Sequence, residues 1–359
     1  MGNDQIDFQE AIFKKSIKKS KNDNLLISPM SLFIPLAIIS KGAQNKTLNE
    51  FLKALNDSKN ENLYLNNLEE ISMILKKDNN LNIANSILTK VKIEENFIQK
   101  IQDSDIKIGQ VENIEQINKW VKERTEGKIE KFIDKLDPSS PIVILNAIYF
   151  HDDWKEEFEH SETSSQSFYL SNNQQKEIDF MNHIFNNAFY YQTETFQSIK
   201  LEYKKSDIMA TIILPAKNIK INDFVANMNS SSFFEMSNYN TDRKSVKLYL
   251  PIIKLENSCD LNEVLKELGI KEAFNINADF SLISKIKPLY IKNVLQKTCL
   301  EMDEKGTTSS SGTEVEMTFG LDAGPIEMKC NRPYLIFLSK YSLKIKKDII
   351  LFAAKIENP

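Results

Sequence analysis

The amino-acid sequence predicts a single large α+β domain spanning residues 1–359. Three observations carry that expectation. Amphipathic helical segments fill the first third, strand-like apolar runs gather after residue 140, and no internal repeat or long low-complexity linker divides the chain.

Taken in order, IDFQEAIFKKSIKK sets Phe8, Ile12, Phe13 and Ile17 on one helical face and lysines on the other. LLISPMSLFIPLAIISKGAQNKT opens with a short apolar strand, and Ser28-Pro29 reads as a helix start. IEQINKWVKERTEGKIEKFI reads as another amphipathic helix, broken near Gly127. IVILNAIYF, Ile142 to Phe150, is a nearly continuous apolar run, the pattern of a strand buried on both faces. MATIILP, SVKLYLP, PLYI and DIILFAAKI are further strand candidates, two of them stopped by proline. DLNEVLKELGI reads as a short helix with an acidic N-terminus and Gly269 near its end.

Composition narrows the function. A hydrophobic share of 41%, a charged share of 27% and a net charge of -4 suit a soluble globular protein, with neither nucleic acid nor an anionic membrane as its main partner. The N-terminus lacks an apolar run of signal-peptide length, and Ile6 stands where a myristoylation signal wants Ser or Thr, so the cytosol is the expected compartment. Release by an unconventional route, or extracellular action, stays open. Cys259, Cys299 and Cys330 are scattered and read as buried or incidental thiols. His151, His160 and His183 match no HExxH or zinc spacing, so neither a metal nor a cofactor is expected. Without GxGxxG, a phosphate loop or a GxSxG elbow, the chain does not read as an enzyme. Lys14, Lys15, Lys18, Lys19 and Lys21 read as a solvated helix face, with weak polyanion binding as the alternative.

The segment DEKGTTSSSGTEVEMTFGLDAGP, Asp303 to Pro325, behaves differently. Its centre is small and polar like a loop, yet it alternates like a strand. Thr307, Ser309, Ser311, Thr313, Val315 and Met317 share one parity; Thr308, Ser310, Gly312, Glu314, Glu316 and Thr318 share the other. No bulky, charged or proline residue in the first set up to Thr313 would obstruct entry between existing strands. Such a segment suits two states, an exposed loop and a strand inside a sheet. Backbone hydrogen bonds of roughly 0.5–1.5 kcal/mol each, over about ten residues, make the second state favourable by on the order of ten kcal/mol.

With these residues in view, the chain resembles the serpins nearly end to end. NLLISPMSLFIPLAIISKGAQNKT, INKWVKERTEGKI (Asn118, Trp120, Thr125, Lys128) and LNAIYFHDDWKEEFE (Asn146, Phe150, Trp154, Phe158) match family signatures. ILP, LGIKEAF…ADFS, DEKGT and NRPYLIFL follow in the family's order. The resemblance implies about nine helices, three sheets with a large central one, and Asp303 to Pro325 (residues 303–325) as an exposed, insertable reactive-centre loop. It also implies a monomeric inhibitor in which a target protease forms an acyl-enzyme on the loop, after which the Gly306 side inserts and distorts the protease. Glu304, Lys305 and Gly306 through Thr307, Thr308, Ser309, Ser310, Ser311 and Gly312 match the hinge. Ser28, Ser31 and Asn146 match the polar cluster where the sheet parts, and Trp154 the insertion entrance. Gln296 stands where the family usually has histidine, so pH control through that position is lost.

Family spacing allows cleavage after Gly320 or, with a loop shorter by one residue, after Phe319; an aromatic suits a chymotrypsin-like pocket. The expected bond is Phe319–Gly320, with Met317 and Leu321 as alternatives, and cathepsin G-like enzymes are among the expected targets. The absence of Arg and Lys between Gly306 and Pro325 argues against trypsin-like targets. The rival readings are a non-inhibitory serpin acting as a chaperone or carrier, and a simple protease substrate.

Overall fold

The computed structural model describes residues 7–20, 24–55, 61–110, 114–137, 140–228, 243–306 and 324–359. The first part of the chain forms α1 (Phe8–Lys19), β1 (Leu25–Ile27), α2 (Pro29–Ser40), α3 (Asn45–Leu55) and α4 (Glu61–Lys77). β2 (Leu81–Thr89), α5 (Glu95–Ile101), β3 (Ile106–Gln110), α6 (Ile114–Arg124) and β4 (Ile142–Phe150) follow. Then come β5 (Ser164–Tyr169), β6 (Gln175–Gln192), β7 (Phe196–Glu202), β8 (Met209–Pro215), α7 (Ile221–Asn227), β9 (Arg243–Pro251) and β10 (Ile253–Asp260). The chain closes with α8 (Asn262–Glu267), β11 (Ile291–Met302), β12 (Ile326–Lys329), β13 (Tyr334–Ser342) and β14 (Lys347–Ile356).

Contacts divide the chain into two compact units, each assembled from separate stretches. One comprises Met1–Lys19, Ile27–Tyr149 and Glu256–Cys299; the other comprises Ser20–Leu26, Phe150–Leu255 and Leu300–Pro359.

In the first unit the sheet order is β10-β11-β4-β2-β3. Every residue of β4 is buried, and the reason lies on its two faces. Val143, Leu145, Ala147 and Tyr149 pack with Ala84 and Leu88 of β2 and Cys299 of β11, under Ile117 and Val121 of α6 and Ile129 and Ile133 beyond it. On the other face Asn146 reaches Ser31 of α2, a helix that is itself wholly buried. Helical cover on both sides demands the apolar sequence that marked this strand. β11 lies beside β4 in parallel, with Gln296 opposite Asn146 and Cys299 opposite Tyr149.

The second unit carries the nine-stranded sheet, ordered β1-β14-β13-β8-β7-β6-β9-β12 with β5 on β6. The expected three sheets are two hydrogen-bonded paths among the described residues. The cause is β6, an 18-residue strand that pairs in turn with β5, β9 and β7 and so joins the two smaller sheets. Eight α-helices are present among the described residues, against the expected nine or so.

Two local expectations change. Of PLYI only Ile291 lies in a strand: β11 begins there and runs to Met302, through a stretch whose Lys292, Asn293, Gln296 and Lys297 hide its strand character. The helix of IEQINKWVKERTEGKIEKFI ends at Arg124, because Glu126 (φ +52°) and Gly127 (φ +79°) turn the backbone into the left-handed region. Ile129 and Ile133 beyond it are buried without helical structure.

Gly42, at the end of α2, has no room for a side chain. An added Cβ would lie 2.2 Å from Ile283 Cγ1 and 2.9 Å from Phe97 Cε2. Gly42→Ala should therefore destabilise the protein by about 1–3 kcal/mol in denaturant unfolding, as overpacked cores do; an unchanged midpoint would show that Ile283 can yield.

Candidate functional site

Four side chains named from the sequence meet in one buried network of the first unit. Ser28, Ser31 and Asn146 are fully buried and Gln296 nearly so. The Ser31 hydroxyl donates to Asn146 Oδ1 at 2.9 Å, and Gln296 Nε2 donates to the same oxygen at 2.5 Å. Asn146 Nδ2 donates to the Ser31 carbonyl at 3.2 Å and to Asn85 Oδ1 at 2.6 Å. Gln296 also grips the backbone of Ser28: its Oε1 accepts the Ser28 N–H and its Nε2 donates to the Ser28 carbonyl, both at 2.9 Å. Ser28 precedes α2 without capping it through its side chain, and Gln296 holds its backbone. The network ties α2, β2, β4 and β11 at one point with no ionisable member.

The same two strands, β4 and β11, lead into a second cluster, which lies in the second unit. Trp154 is buried and stacks on Tyr203 with ring centres 4.5 Å apart. Its indole N–H donates to the Asp303 carbonyl at 3.0 Å, and its backbone N–H to the Lys305 carbonyl at 2.7 Å. The Phe158 N–H donates to the Glu304 carbonyl at 2.7 Å. The Glu304 carboxylate takes the Thr163 hydroxyl at 2.7 Å and lies 2.8 Å from His160 Nδ1. Asp303 Oδ1 receives the N–H groups of Lys305 and Gly306, folding residues 303–306 into a tight turn. Gly306 sits at φ +143°, where a Cβ would fall 2.4 Å from the Asp152 carbonyl oxygen and 2.6 Å from Trp154 N. Only glycine fits this conformation and this approach.

Electrostatics follow from these contacts. Burial, the largest single influence, pushes the Glu304 carboxyl up, but the bonds from Thr163 and His160 outweigh it and hold the group below the usual glutamate range. Burial raises Asp303 above its usual range despite its two backbone donors. His183 is pushed down, chiefly by burial, against the opposing pull of Glu156.

Asn85, His160, Thr163 and Tyr203 were not singled out by sequence. Asn85 had a readable signal, an amide inside the run NIANSIL much like Asn146 inside IVILNAIYF. His160 and Thr163 had none, since they meet Glu304 across 144 and 141 residues of chain. Thr307 to Gly312, Met317, Phe319, Gly320, Leu321 and Lys21 lie outside the described residues. The α1 lysines have carboxylate neighbours: Lys14 pairs with Glu10 at 2.7 Å, and Lys19 and Lys15 with Glu267 at 2.7 and 3.7 Å. Among the described residues no three His, Cys, Asp or Glu side chains gather as metal ligands.

The family model for serpins, described as serine protease inhibitors, matches residues 3–359. The chain is a serpin. It is 29% identical over 361 residues to an uncharacterized serpin-like protein of Methanosarcina mazei, covering 94% of this chain and 82% of that one. This serpin superposes on the native-state crystal structure of the thermophilic serpin tengpin with a TM-score of 0.87 at 30% identity, over 98% of this chain and 92% of tengpin. Human thyroxine-binding globulin, solved in complex with thyroxine, matches with the same TM-score of 0.87 at 22% identity, over 99% and 97% of the two chains. At that identity the likeness is one of fold.

Two outcomes follow for this serpin. Asn146→Ala removes the buried amide that Ser31, Asn85 and Gln296 share, and should cost about 3 kcal/mol in denaturant unfolding; a cost below about 1 kcal/mol would mean that the network does not hold the strands. Glu304 contributes stability that is fully present above the ordinary glutamate pKa of about 4.3 and is lost as pH falls through its lower folded value. The gap in Tm between wild type and Glu304→Gln should therefore close as pH drops below about 4. A gap independent of pH would remove the carboxylate from the account.

Proposed function

We propose that this serpin is a suicide-substrate inhibitor of chymotrypsin-like serine proteases, cathepsin G-like enzymes among them. The observation that carries the proposal is the direct parallel pairing of β4 with β11, together with a hinge at Glu304–Gly306 that leaves from the end of β11. Two parallel neighbours accept a third strand between them, antiparallel to both, and that is the direction in which a chain leaving β11 would turn back.

The protease serine attacks the Phe319 carbonyl, the bond to the Gly320 nitrogen breaks, and Gly320 leaves with a new amine while Phe319 is held as an ester. The segment beginning at Gly306 then enters between β4 and β11 before water can release the ester. Small residues from Thr307 to Thr313 present no obstacle on the core-facing parity. Turnover ends with the protease distorted and covalently held, so the serpin is consumed and is not a catalyst. Its roles divide accordingly: Ser28, Ser31, Asn146 and Gln296 hold the sheet closed, Trp154 guards the entry, and Glu304 to Gly306 act as the hinge.

The likeness in fold to a hormone carrier supports a second reading, a non-inhibitory serpin that is merely cleaved. The fold is common to both readings; the unobstructed hinge sequence favours inhibition. Polyanion binding through Lys14 to Lys21 would compete with the Glu10 and Glu267 pairs, and it remains a subsidiary proposal.

Equal amounts of serpin and chymotrypsin or cathepsin G should give a band at the summed mass on a denaturing gel. A released C-terminal fragment should begin at Gly320 by mass spectrometry. Phe319→Ala should slow complex formation by about 100-fold, as loss of the pocket-filling ring requires. Ser311→Arg should leave cleavage intact and abolish the complex. Cleavage of the wild type without any complex would overturn the inhibitory reading in favour of the carrier or substrate.

A further inference from the structure

The turn that joins β13 to β14 carries chemistry that inhibition does not use. Ser342 opens it: its carbonyl accepts the Lys346 N–H at 2.7 Å and its hydroxyl accepts the Ile345 N–H at 3.1 Å. Lys346 closes it in the left-handed region at φ +56°. The strands below are paired up to Ser342 and Lys347. The tip is therefore a fixed protrusion whose side chains are presented by a hydrogen-bonded frame.

Those side chains are unusual for a hairpin end. Leu343 is 85% exposed, more than any other large apolar residue described, and Tyr341 is 47% exposed. Lys340, Lys344, Lys346 and Lys347 flank them in sequence, Lys344 and Lys346 exposed, with the carboxylates of Asp348, near Ser339, and Asp207, 3.3 Å from Lys340, as the acidic neighbours. An exposed leucine at the apex of a solvated turn gains nothing from water. A basic collar gains nothing from an apolar partner. An environment that rewards both is the boundary between anionic headgroups and acyl chains.

We propose that this hairpin tip docks the serpin on anionic phospholipid surfaces. Leu343 enters the headgroup–acyl boundary, the Tyr341 ring lies at headgroup level, and the lysines approach lipid phosphates and carboxylates with their stems along the interface. A linear polyanion would use the lysines but not the leucine, and this separates the two partners experimentally. The chain's net charge of -4 does not favour such a surface, so contact is confined to the tip and is sensitive to salt. The inference is independent of the reactive bond, which lies elsewhere in the sequence.

The test is co-sedimentation of the full chain with vesicles of phosphatidylcholine alone and with about 30% phosphatidylserine, the anionic lipid that sets a negative surface potential. Binding to the anionic vesicles alone is expected. It should weaken about tenfold in Leu343→Ser, which withdraws the buried apolar group, and vanish in Lys344→Glu/Lys346→Glu. Because these side chains are exposed, Tm should be unchanged in both variants, so loss of binding is not loss of fold. Three results would overturn the proposal: no binding to anionic vesicles, equal binding to neutral ones, or full binding by Leu343→Ser with loss in the lysine variant. The last would make the tip a site for polyanions in general, and retention of both wild type and Leu343→Ser on immobilised heparin would identify it as such.

Discussion

The side-chain amide of Asn146 is sealed in the middle of a sheet, where each unmet hydrogen bond costs about 1–3 kcal/mol. Its partners come from three other elements: Ser31 of α2, Asn85 of β2 and Gln296 of β11. That requirement fixes the register in which β11 meets β4, because only Gln296 opposite Asn146 completes the set. It also fixes the start of α2, whose Ser28 backbone is held by the other end of the same glutamine. A strand pair buried under helices on both faces would otherwise owe its placement to non-directional apolar contacts. The polar point makes that placement specific, as fully satisfied networks do.

The network also sets the cost of opening the pair. Separating β4 from β11 breaks the Gln296–Asn146 bond and the backbone ladder between the two strands. The insertion proposed above would restore a ladder on each side of the entering strand. Asp303 to Gly306 is fastened by backbone and indole bonds from Trp154 and Phe158, and by the Glu304 carboxylate on Thr163 and His160. Gly306 lets the chain pass against the Asp152–Trp154 backbone, where any side chain would collide. Gln296 completes the network without an ionisable group, whereas the contacts of residues 303–306 include the ionisable Glu304.

Much of this was legible in the sequence, and what was hidden was hidden for physical reasons. Ile142–Phe150 announced a doubly covered strand because both of its faces are apolar, and an asparagine within such a run signals a buried network. Ser28, Ser31, Asn146 and Gln296 were grouped through family resemblance, and the structure brings them within hydrogen-bond distance. β11 was missed as a strand because polar residues interrupt its alternation, although β4 covers its edge. β6 was missed because its pattern changes as it serves different neighbours along its length. The anchoring of Glu304 by His160 and Thr163 leaves no local pattern at all; it depends on how residues 151–163 are laid against the end of β11.

The central claim is that β4 and β11 form a site awaiting one more strand. The most direct measurement is the Tm of the serpin before and after limited cleavage within residues 307–323 by a protease that it does not trap. Insertion of about ten residues, each adding roughly 1 kcal/mol of backbone hydrogen bonding, predicts a rise of about 13 °C for a chain of this size. A Tm that stays the same or falls after cleavage would contradict the account, because the sheet would then have no place for the strand.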